Sequence, residues 1–252
     1  MYTEFENKVV IVTGGSRGIG RCIVKKFAKA GARVCFTYLY QQEEAKETER
    51  LCCDCGNNNV QGYCVDGKNE EEIRCFIESV IQLYGRIDIL INNAGFISRR
   101  LFCDMNNEVW NKSIETNLNA TMYYCKYVLN IMTQQEDGSI VNISTVCAEQ
   151  PIRGQAAYST TKSAIESFSK VLALEYGQHH IRVNVVSPGF ILSGSPKHMT
   201  GEQIQSVIEN IPLKRAGYSE DVANAVLFLA SNKASYITGS NINVSGGNHL
   251  KS

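Results

Sequence analysis

The sequence has no surplus of charge of either sign: lysine plus arginine number 25, and so do aspartate plus glutamate. Nucleic-acid binding rests on a basic surface that neutralises phosphates, so no nucleic-acid partner is expected. No stretch approaches the roughly 18 uninterrupted apolar residues of a membrane span, and no membrane partner is expected. The opening MYTEFENK leads straight into an apolar run without the basic-then-apolar pattern of a secretory signal. A cytoplasmic location is the expectation. Linkers, repeats and low-complexity segments are also missing, so residues 1–252 are read as one domain.

Cysteine, by contrast, is abundant. Ten are present, and the CCDC run at Cys52, Cys53 and Cys55 has the look of metal ligands. Structural zinc sites use two ligand pairs, and no second pair follows; Cys64 and Cys75 lie too far apart to form one. Cys22, Cys35, Cys125 and Cys147 fall inside apolar segments, where a free thiol behaves as a small hydrophobe. Reduced, structural cysteines and no metal are expected.

Strand and helix patterns alternate along the chain. Strands are predicted at Lys8–Thr13, Arg33–Tyr38, Val60–Val65, Ile87–Ile91, Ser139–Ile143, Arg182–Val186 and Ile242–Val244. Helices are predicted at Ile19–Ala30, Gln41–Cys55, Glu70–Tyr84, Glu108–Thr133, Ala157–Tyr176, Glu202–Asn210 and Ser219–Ala230. Gly31, Gly56 and Gly85 close the first three, as glycine does just past a helix end. This alternation specifies an α/β fold, a doubly wound, Rossmann-type parallel sheet with helices on both faces. In such sheets ligands sit beyond the carboxyl ends of the strands, where the winding reverses.

The first strand exits into Thr13-Gly14-Gly15-Ser16-Arg17-Gly18-Ile19-Gly20. Glycines between a strand and a helix let backbone N–H groups approach a pyrophosphate at the helix N-terminus. They also serve a plain strand-to-helix turn, but first strand, first loop and immediate helix favour a dinucleotide. Sites for NAD carry a carboxylate about 20 residues on. Here that region reads Thr37-Tyr38-Leu39-Tyr40-Gln41, with no acid before Glu43. Arg17 is available for a 2′-phosphate, unless it is simply solvated, so NADP(H) is the expected cofactor. Asp66 is a candidate for the adenine amino group or for a helix cap.

Tyr158 and Lys162 are four apart in a helical segment and share a face. A free tyrosine, with a pKa of about 10, is a poor acid–base group near neutrality, and an adjacent ammonium favours its phenolate. An isolated Y-x-x-x-K recurs by chance. Its position after an apolar strand, in a chain that already holds a dinucleotide loop, raises its meaning.

With these residues in view, the chain from about residue 5 to 248 resembles the short-chain dehydrogenase/reductase family. Thr13–Gly20 is similar to its cofactor loop, Asn92-Asn93-Ala94-Gly95 to its N-N-A-G segment, and Asn117, the Tyr158/Lys162 pair and Ser187-Pro188-Gly189 also match. Ile211-Pro212-Leu213, Phe228-Leu229-Ala230 and Ser235-Tyr236-Ile237-Thr238-Gly239 read like the C-terminal third of its 3-oxoacyl-[acyl-carrier-protein] reductases. The resemblance implies a cofactor bound by Gly14, Ser16, Arg17, Gly18, Ile19, Gly20, Thr37, Tyr38, Asp66, Gly67, Asn93, Ala94 and Gly95. Tyr158, Lys162, Pro188, Gly189, Ile191 and Ser193 complete that set. It further implies that Tyr158 protonates a substrate oxygen, that Lys162 holds the nicotinamide ribose and lowers the tyrosine pKa, and that Asn117 positions a water. A homotetramer packed through the helices near 108–133 and 157–176 is implied as well.

The sequence departs from that family in two places. The catalytic serine usually lies 13 residues before the tyrosine, where this chain has Thr145; Ser144 is the neighbouring alternative. Threonine offers the same donor on a stiffer side chain. The basic residues that dock an acyl carrier are replaced by the neutral or acidic stretches Met132–Asp137 and Leu172–Glu175, with Arg99 and Arg100 left to compensate or to stay solvated. The expected activity is NADPH-dependent reduction of a 3-oxoacyl thioester or similar ketone. Alternatives are an alcohol or sugar dehydrogenase, a secondary-metabolite ketoreductase, or a non-catalytic NADP-binding sensor. Phe190–Ile211, with Leu192, Met199, Ile204, Val207 and Ile208, is read either as an apolar lid or as ordinary helix packing.

Overall fold

A computed structural model describes residues 4–193 and 199–250. Seven parallel strands form the main sheet: β1 (Val9–Val12), β2 (Arg33–Tyr38), β3 (Val60–Cys64), β4 (Ile89–Asn92), β5 (Gly138–Ile143), β6 (Ile181–Pro188) and, last in the chain, β9 (Asn241–Val244). Their spatial order is β3-β2-β1-β4-β5-β6-β9, so the winding reverses between β1 and β4. A ribbon missing from the sequence reading pairs β7 (Ile191–Leu192) with β8 (Gly217–Tyr218). Both members are two residues long, too short to leave a periodic signal.

Alternate residues of each strand feed two cores. Val10, Val12, Val34, Phe36, Ile89 and Ile91 face one side, under α1 (Gly18–Lys29) and α8 (Ser219–Ala230). Val9, Ile11, Cys35, Leu90 and Ile140 face the other. There they meet α3 (Glu70–Tyr84), α5 (Ala120–Gln135) and α6 (Ala156–Tyr176). Covering both faces is what turns β1 and β4 into nearly uninterrupted apolar runs. Burial of each large side chain, such as Phe36, contributes on the order of 1.5–3 kcal/mol. The helix α2 (Gln42–Cys53) flanks β3 and splits the CCDC run, burying Cys52 while Cys53 and Cys55 are exposed. All ten cysteines are free thiols.

The helix expected over Glu108–Thr133 is two helices. α4 (Asn107–Ser113) and α5 are joined by a π-helical turn over Ile114–Asn119, which contains Asn117. No glycine or proline marks this break; its cause is tertiary, as described below. The apolar stripe Ile204, Val207 and Ile208 lies on α7 (Gly201–Glu209), which buries none of its residues. Residues 194–198 of the expected lid lie outside the described residues.

Asp88, at the foot of β4, is the sheet's buried anchor. Its carboxylate accepts from the Val9 N–H at 2.8 Å, Lys8 Nζ at 3.1 Å and Arg86 Nε at 3.0 Å. Burial alone would raise its pKa, but Arg86, the Val9 N–H and Lys8 outweigh it and hold the carboxyl below the usual range. A depressed folded-state pKa supplies stability above the unfolded value and loses it as pH falls through the folded one. Asp88→Asn is therefore expected to cost about 1.5–3 kcal/mol at neutral pH and less on acidification, read by urea unfolding at pH 7 and pH 3.

Candidate active site

The exit loops of β1 and β4 are bound together at the winding reversal. Thr13 Oγ1 accepts the N–H groups of Asn93 and Ala94, both at 3.0 Å. The Asn93 amide donates back to the carbonyls of Thr13 (2.9 Å) and Gly14 (3.1 Å). This closeness leaves no room for side chains. A Cβ at Gly20 would lie 2.1 Å from the Gly14 carbonyl oxygen, and Gly14 itself takes a left-handed φ of 67°.

A cleft of about 1110 Å³ opens beside these loops, lined by Gly14, Ser16, Arg17, Gly18, Ile19, Gly20, Thr37, Tyr38, Asp66, Gly67, Asn93, Ala94, Gly95 and Ser193, among others. Of the expected cofactor residues, Tyr158, Lys162, Pro188, Gly189 and Ile191 are not on its walls. Gly189 is packed so tightly on Ser245 that a Cβ would approach its Cβ to 2.7 Å, and Ile191 pairs with Gly217. Ser193, just beyond, returns to the glycine loop, 3.6 Å from where a Gly18 Cβ would stand.

The donors at the head of α1 fit a dinucleotide phosphate. No side chain caps this helix and no acid lies in its first turn. Its leading N–H groups and dipole thus favour an anion. The end of β2 offers no carboxylate, while Arg17 and Lys68 line the cleft with side chains that have no partner among the described residues. Asp66 accepts from the Lys68 N–H at 3.0 Å, and the α3 cap is instead Asn69, whose Oδ1 takes the Glu71 and Glu72 N–H groups. Sequence reading had not singled out Lys68.

Behind Gly95, which is on the cleft wall, stands the polar cluster around α6. A Cβ on Gly95 would sit 3.6 Å from Lys162 Nζ and 3.5 Å from Asn117 Oδ1. Asn117 is fully buried. Its Oδ1 accepts the Phe96 N–H at 2.6 Å, and its Nδ2 donates to the Phe96 carbonyl (2.9 Å) and Thr161 Oγ1 (3.0 Å). The π turn carries Asn117 into this position, a use common to such turns. Its side chain is thus committed to Phe96 and Thr161. Thr161, whose hydroxyl donates to the Tyr158 carbonyl at 2.8 Å, was missed from sequence; its place beside Lys162 was the available signal.

Lys162 is 3% exposed and donates to the Ile143 carbonyl at 2.7 Å. Burial pulls its pKa down to about 8. Its ammonium is 6.0 Å from the centre of the half-buried Tyr158 ring. Burial also pushes the Tyr158 hydroxyl up to about 12, with the Cys147 thiol adding to the rise and a hydrogen bond with Thr145 opposing it. Lys162 is not among the groups that shift it; its ammonium donates to the Ile143 carbonyl. Thr145 is buried, and its Oγ1 also accepts the Cys147 N–H at 3.2 Å. The Ser144 hydroxyl turns instead to the Lys162 carbonyl (3.3 Å) and Glu166 (2.7 Å).

Residues 14–249 match the family model described as Enoyl-(Acyl carrier protein) reductase. The chain belongs to the short-chain dehydrogenase/reductase family, and the protein is an oxidoreductase acting on alcohol and carbonyl groups. It is 38% identical over 241 residues to the 3-oxoacyl-[acyl-carrier-protein] reductase FabG of Chlamydia muridarum, covering 96% of this chain and 97% of that one. Against FabG of Escherichia coli it is 36% identical over 247 residues, covering 98% and 99%. A crystal structure of a putative short-chain alcohol dehydrogenase from Sinorhizobium meliloti superimposes with a TM-score of 0.93 at 30% identity, over 100% of both chains. A short-chain type dehydrogenase/reductase from Mycobacterium ulcerans gives 0.94 at 30% identity, over 98% of this chain and 92% of that one.

The lowered Lys162 pKa has a consequence for stability. Below about 8 the buried ammonium weakens the fold, and this penalty fades as pH rises towards the ordinary lysine value of 10.5. Lys162→Met is expected to stabilise the protein by about 1–3 kcal/mol at pH 7, with the gain shrinking by pH 10, as followed by thermal unfolding.

Proposed function

We propose that this protein is an NADPH-dependent ketoreductase that converts a 3-oxoacyl thioester or a similar ketone to the hydroxy compound, with Tyr158 as general acid. The observation that carries this reading is the pairing of the Thr145 and Tyr158 hydroxyls, with the buried Lys162 ammonium near the Tyr158 ring and just behind Gly95 on the wall of the dinucleotide cleft. NADP(H) is the cofactor, and when bound it supplies the hydride. The uncapped head of α1 would hold its pyrophosphate, and Arg17, with Lys68, its 2′-phosphate.

The residues of the chain handle the proton and the charge. A tyrosine whose pKa stands near 12 keeps its proton at neutral pH, so it serves as a donor to the oxygen of the ketone as that oxygen gains negative charge. The Thr145 hydroxyl is a second donor toward the same oxygen. Lys162, protonated below about 8, would hold the nicotinamide ribose and supply positive charge there. Asn117 and Thr161 hold the Phe96 loop and α6 in register around these groups.

The thioester class is supported by the names of the two bacterial relatives, 3-oxoacyl-[acyl-carrier-protein] reductases. A site for an anionic carrier is supported by Arg99, Arg100 and Arg153, exposed and without side-chain partners among the described residues. Their loops are joined by the Arg100 N–H to the Gly154 carbonyl at 2.8 Å. We further propose a homotetramer packed through α5 and α6; α6 exposes Val171 (46%) and Leu174 (84%). Sedimentation is expected to give a tetramer at micromolar concentration, and a monomer there refutes the assembly.

The test is NADPH oxidation with acetoacetyl thioesters of coenzyme A and of a carrier protein, beside small ketones and an NADH control. Wild type is expected to turn over, Tyr158→Phe to lose on the order of 100-fold or more, and Thr145→Ser to remain active. Arg99→Glu/Arg100→Glu is expected to raise KM for the thioesters but not for small ketones. Binding of NADPH without turnover of any ketone would instead favour a cofactor sensor.

A further inference from the structure

Glu166 lies one turn beyond Lys162 on α6, half-buried against the ends of β5 and β6. A single oxygen of its carboxylate, Oε1, accepts from Ser144 Oγ at 2.7 Å and from Ser187 Oγ at 3.2 Å. Both serines are buried, at 2% and 0% exposure, so their hydroxyls depend on protein partners. Ser144 also donates its N–H to the Val186 carbonyl at 2.8 Å, which binds the ends of the two strands to each other. Glu166 then fastens that joined edge to the helix that carries Tyr158 and Lys162.

The positions of the two serines in the chain give this contact its reach. Ser144 immediately precedes Thr145, whose backbone is extended (φ −166°, ψ 151°). Neighbouring side chains on an extended backbone point to opposite sides. Holding Ser144 on Glu166 therefore turns Thr145 the other way, where its hydroxyl meets that of Tyr158. Ser187 immediately precedes Pro188-Gly189, the start of the segment that returns at Ser193 to the wall of the cleft.

We propose that Glu166 is a positioning residue with two arms: through Ser144 it sets the Thr145 hydroxyl against Tyr158, and through Ser187 it sets the segment after Pro188 that brings Ser193 to the wall of the dinucleotide cleft. The first arm rests on the ketoreductase reading; the second rests only on the cleft. A carboxylate suits the task because an ionised acceptor makes shorter and stronger hydrogen bonds than a neutral one. Its use of one oxygen for both hydroxyls means that glutamine, which keeps a carbonyl oxygen there, can stand in for it.

The experiment compares Glu166→Ala, Glu166→Gln, Ser144→Ala and Ser187→Ala with wild type, each assayed well below its own measured Tm. Two quantities are read: kcat for the best ketone, and NADPH affinity by fluorescence titration with no ketone present. Glu166→Ala is expected to lower kcat by about 10- to 100-fold and to weaken NADPH binding by about fivefold. Ser144→Ala should reproduce the kcat loss with normal NADPH affinity, and Ser187→Ala the weakened affinity. Glu166→Gln should recover most of both. A Glu166→Ala variant that loses only Tm, with kcat and affinity intact, overturns the proposal. So does a Glu166→Gln variant as impaired as Glu166→Ala, because charge rather than hydrogen bonding would then be responsible. If no ketone is reduced even by wild type, the functional reading fails. The NADPH titrations of Glu166→Ala and Ser187→Ala then decide the second arm by themselves.

Discussion

Seven parallel strands all end at one edge of the sheet, and the polar groups freed there have no further strand to pair with. The loops beyond them must be satisfied by side chains from neighbouring exits. Thr13 and Asn93 join the loops after β1 and β4, Asn117 ties the Phe96 backbone to α6 through Thr161, and Glu166 joins the ends of β5 and β6. Three separate side-chain clamps thus solve one problem of the parallel sheet. The cleft and the Tyr158–Lys162 pair lie at this same edge of the sheet.

Much of this was legible in the sequence, and the limits have physical causes. Strands buried on both faces announce themselves as apolar runs, so β1, β2 and β5 appear close to where they were read. Tyr158 and Lys162 were readable because a helix turns their spacing of four into adjacency. The π turn at Ile114–Asn119 was not, because the bonds that hold it open run from Asn117 to Phe96 and Thr161, remote in sequence. Glu166 was missed although the same spacing of four separates it from Lys162; its serine partners become neighbours only when β5 and β6 pair. The apolar stripe on α7 looked like lid or packing, and the structure leaves it half-buried.

Burial acts on Tyr158 and Lys162 in opposite directions and with one result. It raises the tyrosine, whose charged form is an anion, and lowers the lysine, whose charged form is a cation. Both shifts favour the neutral species, yet the tyrosine still holds its proton at pH 7 and the lysine is still mostly charged. A neutral proton donor over a cation suits a reaction in which negative charge grows on a carbonyl oxygen. The removal of the lysine's charge at high pH would take away that support without altering the donor.

The bare head of α1 has one more consequence. Helices α3, α4 and α7 end their exposed N–H groups on the side chains of Asn69, Asn106 and Thr200, whereas α1, like α2 and α6, has no such cap, and of these three it is the one whose head opens on the glycine loop of the cleft. A bound pyrophosphate would finish the helix as well as occupy the cleft, so cofactor concentration becomes a term in the folding equilibrium. At a hundred times the dissociation constant that linkage amounts to about 2.7 kcal/mol. The dinucleotide is in this sense a removable piece of the fold, and the stability of the protein follows the supply of its cofactor.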